Sequence, residues 1–68
     1  MLLKTVVVFL RDPKAHLYEL VFKASYPSKP LKVHNTKDGF LIIEDITEQG
    51  IYETKAVFKE WIYWKKGS

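Results

Sequence analysis

The sequence predicts an all-β domain, built as a small antiparallel barrel or strongly curled sheet of five or six strands. Three observations carry that expectation. Apolar runs of strand length follow one another over residues 2–11, 16–26, 31–36, 40–47 and 51–66. Turn chemistry separates them: Asp12-Pro13, the Pro27 to Pro30 stretch, Asp38-Gly39 and Gly50. The last run alternates residue by residue between two chemically different sets, which is the two-residue period of a strand.

Each element has its own reason. Residues 2–11 centre on Val6-Val7-Val8-Phe9 and are apolar on both faces, so they read as a central or doubly covered strand. Asp12-Pro13-Lys14-Ala15 is a turn, with Asp leading and Pro presetting φ. Residues 16–26 place Tyr18, Leu20, Phe22 and Ala24 on one face, and Glu19, Val21 and Lys23 on the other. They should return along the first strand as a hairpin. Pro27 and Pro30 remove two donors, so the stretch between them is an irregular corner. Residues 31–36 follow as a short strand with Leu31, Val33 and Asn35 on one face and Lys32, His34 and Thr36 on the other. Lys37-Asp38-Gly39 turns the chain into residues 40–47. Glu48-Gln49-Gly50 turns it again, with Gly50 free to take positive φ.

In residues 51–66, Tyr52, Thr54, Ala56, Phe58, Glu60, Ile62 and Trp64 read as a core face. Glu53, Lys55, Val57, Lys59, Trp61, Tyr63 and Lys65 read as a wet, basic one. The same stretch also fits a short helical turn near residues 56–61, since Val57, Trp61 and Trp64 keep helical spacing. By layout alone, the expected architecture resembles SH3-like and Sm-like small barrels. No family motif accompanies that layout, and such barrels host many functions.

Composition narrows the function classes. The chain has 68 residues, no cysteine, a hydrophobic fraction of 47% and an aromatic fraction of 15%. One domain spanning residues 1–68 is expected, too apolar to be disordered and without disulfides or thiolate zinc sites. A chain this small gains from burial against another molecule. Lys4 breaks the apolar start and no small-residue cleavage site follows, so a soluble cytoplasmic protein without a signal peptide or membrane span is expected. Charge is segregated along the chain. Residues 1–37 hold seven Lys or Arg against Asp12 and Glu19; residues 38–60 hold Lys55 and Lys59 against six carboxylates; Lys65 and Lys66 close it. An acidic strand beside a basic one would bring opposite charges face to face.

Catalysis needs convergent groups, and the sequence offers few. The three glycines are isolated, His16 and His34 are far apart, and Glu44 and Asp45, being adjacent on a strand, point to opposite faces. The expectation is therefore no enzyme, no cofactor and no metal. What remains is a binding module. Trp61 and Tyr63 among Lys55, Lys59, Lys65 and Lys66, with Tyr26 as a further anchor, form the candidate surface. Leu31, Lys32, Val33 and His34 form the candidate open strand edge for β-augmentation. A protein partner is expected first, with the chain an accessory or inhibitory protein and a homodimer. The alternative is nucleic acid, with bases stacked on the aromatics and phosphates tracked by the lysines.

Overall fold

The computed structural model describes residues 3–14 and 16–67. Leu2, which opens the first expected strand, and Ala15 of the first turn lie outside the described residues. The protein is all-β, and no helix occurs among the described residues. Its strands are β1 (Thr5–Arg11), β2 (Leu17–Lys23), β3 (Lys32–Asn35), β4 (Leu41–Ile46), β5 (Tyr52–Phe58) and β6 (Tyr63–Lys66). They form two three-stranded antiparallel sheets, ordered β2-β1-β6 and β3-β4-β5, rather than one closed or strongly curled sheet. The short helical turn near residues 56–61 does not form: β5 runs on to Phe58, and Lys59-Glu60 is a bend.

The two sheets face each other across a small core. Val6, Val8 and Leu10 of β1 meet Leu31, Leu41 and Ile43, each at most 6% exposed. Leu3, Phe22, Ala24, Val33, Ala56, Phe58, Trp61 and Trp64 pack around them. Phe22 and Phe58 join the two sheets edge to face, centroids 5.8 Å apart. The radius of gyration, 12.4 Å, exceeds the roughly 11 Å expected of a compact chain of this length, and the molecule is drawn out to 39 Å in one direction. Elongation leaves little interior, and large apolar side chains remain outside it.

The hairpins follow from local chemistry. Asp12 Oδ1 accepts from the backbone N–H of Lys14 at 2.9 Å and of His16 at 2.8 Å, closing the β1–β2 turn. The other two turns share one construction. Thr36-Lys37-Asp38-Gly39-Phe40 and Thr47-Glu48-Gln49-Gly50-Ile51 each place Thr first and Gly fourth. In each, the Gly N–H donates to the Thr carbonyl, and the Thr Oγ1 accepts from the N–H of the residue after Gly. Gly39 and Gly50 have φ of 87° and 82°, as their turns require. Nothing lies within 4 Å of a Cβ built at either, so only backbone strain opposes a side chain. Gly39→Ala and Gly50→Ala should each cost about 1 kcal/mol, read as a lower urea midpoint with unchanged slope.

Register corrects the reading of the C-terminal strand. Ile43 pairs with Ala56 but Glu44 pairs with Thr54, so Lys55 is an extra residue in a β-bulge. The bulge inverts the faces: Ala56 and Phe58 keep to the core, while Tyr52 and Thr54 lie on the outer surface beside Ile46 and Glu44. There the Lys32 ammonium sits 4.0 Å from the centroid of the Tyr52 ring, and the Tyr52 hydroxyl donates to the Pro30 carbonyl at 2.8 Å. Lys32 lies opposite Glu44, and His34 Nε2 hydrogen-bonds Glu44 Oε1 at 2.7 Å. The basic and acidic segments thus do meet across the β3–β4 pair.

Candidate binding surface on the first sheet

Among the described residues, five of the nine exposed large apolar side chains lie on the sheet β2-β1-β6. Val6, Val8 and Leu10 point to the core, so Thr5, Val7, Phe9 and Arg11 occupy the opposite face. Register places Val21 and Lys65 on either side of Val7, Glu19 and Tyr63 on either side of Phe9, and Leu17 beside Arg11. Directly paired residues share a face. The outer face is therefore an apolar strip, Leu17, Val21, Val7, Phe9 and Tyr63, set among Arg11, Glu19, Lys23 and Lys65.

Leu17, Val21 and Tyr63 on this strip are 56%, 51% and 48% exposed. Tyr63 stacks on Phe9 with centroids 4.4 Å apart and planes 14° from parallel. The Lys65 ammonium lies 5.6 Å from the Phe9 ring centroid, within cation–π range. The two rings and the ammonium thus hold one another in place. A rigid aromatic pair loses little entropy on binding, which suits it to anchor a contact.

The residues expected to form one surface divide among several places. Tyr63 and Lys65 belong to the outer face just described. Trp61 does not join them: it packs against the core, and its Nε1–H donates to the Gly39 carbonyl at 2.9 Å. Trp61 precedes β6, which begins only at Tyr63, so strand alternation does not reach back to it. Lys59 and Trp61 instead line an open groove of about 460 Å³ with Arg11, Gly39, Glu60 and Ile62. Lys55 sits at the bulge in the other sheet. Lys66 pairs with Val6 and so takes the opposite face of β6 from Lys65. Tyr26 lines a separate groove of about 230 Å³ with Ser28, Lys29, Ile46, Thr47, Glu48 and Gly50.

Of the expected edge strand, Lys32, Val33 and His34 lie on β3, an edge of its sheet. Leu31 precedes it and is 2% exposed, held in the core with its N–H donating to the Leu3 carbonyl at 2.7 Å. Phe9 was missed as a site residue because a strand apolar on both faces reads as covered on both. The signal was present in Thr5 and Arg11, polar residues that flank Val7 and Phe9 in the same alternate set.

Among the described residues, one charged group is buried. Asp45 is 5% exposed at the core side of β4, and its carboxylate accepts from the Ser25 N–H at 3.1 Å, the Ser25 hydroxyl at 2.5 Å and the Ile46 N–H at 2.9 Å. These bonds account for its burial as a structural tie between β4 and the chain leaving β2. Among the described residues, no group of three His, Asp or Glu converges on a point that could hold a metal ion. Comparison with known families, curated proteins and solved structures found no match to this chain.

Proposed function

We propose that the protein is a non-enzymatic binding module that engages a protein partner through the outer face of its first sheet. The observation that carries this reading is the outer face of the first sheet, where exposed Val21 and Tyr63 flank Phe9 and the largely covered Val7, with Glu19 between Val21 and exposed Leu17 and with Arg11, Lys23 and Lys65 around them. Contiguous exposed apolar surface with a polar rim is the make-up of an interface, and aromatics concentrate at its centre.

The test is affinity capture from native extract, at low and at high salt, with the wild-type chain and Tyr63→Ala side by side. The partner should persist at high salt and be lost with Tyr63→Ala. Truncating a central aromatic anchor costs about 2 kcal/mol, or about thirtyfold in affinity. A partner retained equally by both chains would refute the assignment. Both chains should show the same β-type circular dichroism, since Tyr63 lies outside the core.

One observation favours a second reading. The Lys65 ammonium beside the Phe9–Tyr63 stack supplies both halves of a single-stranded nucleic-acid contact, a π-face and a cation. Lys55 and Lys59 lie away from that stack, which shortens any phosphate track. Salt separates the readings. Binding to a labelled oligonucleotide would weaken steeply as salt rises, whereas an apolar protein contact would change little.

A further inference from the structure

The edges of the two sheets are not equally protected. β3 is four residues long and follows Pro30; β6 is four residues long and ends in Lys65-Lys66; β5 is bulged at Lys55. Short length, proline, lysine and bulges are the devices that keep edges from pairing. β2 is seven residues long with no proline or bulge, its charges being Glu19 and, at its end, Lys23, and among the described strands it pairs with β1 alone. Leu17, Tyr18, Leu20 and Val21, four large apolar residues on this one strand, are between 39% and 56% exposed. They lie on both of its faces, so no single flat surface could cover them all. Another strand laid alongside would cover both faces at once.

The hydrogen-bonding groups of β2 restrict what can pair there. The Ala24 N–H donates to Lys4 and the Asp12 N–H to His16, bracketing the β1–β2 ladder at either end. With the register Val8 opposite Leu20, the even-numbered residues of β2 turn their N–H and C=O toward β1. Leu17, Glu19, Val21 and Lys23 turn theirs to the open edge. A second β2 can pair antiparallel only by matching odd residues with odd.

Charge then selects among the permitted registers. Centring the two-fold on Val21 sets Val21 opposite its own copy and Glu19 opposite Lys23 of the second chain, twice by symmetry. Leu20 then faces Phe22, and Tyr18 faces Ala24, on the inner side. Centring on Leu20 would set Glu19 against Val21 and Lys23 against Leu17, leaving both charges without a counterpart. Moving the centre one residue further back would oppose Glu19 to itself, which repels.

We infer that the protein forms a homodimer by β2–β2 pairing about a two-fold at Val21, joining two sheets into one of six strands, β6-β1-β2-β2-β1-β6. An isologous contact of this kind closes on itself and leaves no open β2 edge to propagate. The seam shares Leu17 and Val21 with the outer face, but Tyr63, whose substitution tests the outer-face reading, lies two strands away on β6, so the two experiments fail separately.

Charge reversal tests the register on pure protein by sedimentation equilibrium. The wild type should be a dimer. Glu19→Lys alone and Lys23→Glu alone replace two attractive pairs by two repulsive ones, and should each raise the dissociation constant at least about tenfold. An equimolar mixture of these two variants should recover the dimer. In the mixed pair one strand is positive at both positions and the other negative at both, so each cross-strand contact is again attractive. In the wild-type dimer, the amides of Glu19, Val21 and Lys23 should be protected from hydrogen exchange; in the weakened variants they should exchange freely. A monomeric wild type, a dimer insensitive to either reversal, or a mixture that fails to recover it would each overturn the proposal. Both substituted side chains are exposed, so unchanged circular dichroism confirms that the variants fold.

Discussion

Ile43→Ala should cost about 2–5 kcal/mol and lower the melting temperature by roughly 10–25 °C. Ile43 has no exposed surface, and with Leu41, Val6 and Val8 it is among the largest fully buried side chains of the described residues. Its cross-strand neighbours are Val33 on one side and Ala56 on the other. Ala56 has no side-chain atoms beyond Cβ to move into a void, and the bulge at Lys55 fixes the local backbone. The cavity should therefore persist rather than collapse, which places the cost in the upper half of the usual range. Total stability at this length is roughly 3–10 kcal/mol, so the variant approaches the unfolded state at ambient temperature. Ile42→Ala is the control. Ile42 is half-buried on the outer face, and its truncation should cost about 1 kcal/mol. Thermal melts followed by circular dichroism separate the two. Equal shifts would mean that the face assignment of β4 is wrong.

The alternation of residues 40–47 sets Leu41 and Ile43 on one side and Phe40, Ile42 and Ile46 on the other, both apolar, so which side is the core is decided by burial against β1 and not by the sequence pattern. Strands β1 to β5 and the turns between them follow from local rules, among them β-branched runs, an Asp that caps a turn and glycines at positive φ, whereas the break between β5 and β6 does not. Strand β2 divides its residues between faces as its sequence indicates, and β1 occupies the centre of its sheet. Register is where local rules lose force. A two-residue period carries no memory of an inserted residue, and each insertion inverts every face beyond it. Lys55 is such an interruption, and it is not marked by Gly or Pro. An unbroken reading through it put Thr54 beside Ala56, and carrying the alternation of β6 back to Trp61, which precedes that strand, put Trp61 beside Tyr63; both pairings fail.

The binding surface was half legible for the same reason. Tyr63 and Lys65 both lie within β6, and they share one face as their spacing requires. Their neighbour Phe9 comes from the far end of the chain, through a β1–β6 pairing that no local pattern encodes. Lys32 and Glu44 show the opposite case: opposite charge on consecutive strands joined by a tight turn is a short-range feature, and it could be anticipated. Which edge is left open is a property of strand order. Strand order placed β2 at a bare edge, whereas the proline before residues 31–36 drew attention to β3.

Asp45→Ala should destabilise the fold by about 2–4 kcal/mol, more than any surface change. The carboxylate holds two backbone N–H groups and one hydroxyl, and hydrogen bonds to a charged acceptor contribute about 1.5–3 kcal/mol each when they cannot be replaced. Ser25 is exposed, so water can replace part of what it loses; this holds the total below the sum of three such bonds. The position of the tie matters as much as its strength. Ser25 follows the exit of β2 and Asp45 lies near the end of β4, so the carboxylate fastens one sheet to the other at the end where no strand runs between them. Asp45→Asn is nearly the same size, but its amide nitrogen presents hydrogens where the carboxylate presents a lone pair to the Ser25 N–H. It should recover only part of the loss. Ser25→Ala keeps the N–H bond, removes the hydroxyl alone and should cost about 1 kcal/mol. The double variant Ser25→Ala, Asp45→Ala should lose less than the sum of the two single changes, since both remove the same bond. Urea denaturation of the four variants measures this cycle. Strict additivity, or an Asp45→Ala midpoint within error of the wild type, would show that the sheets are held together by apolar packing alone.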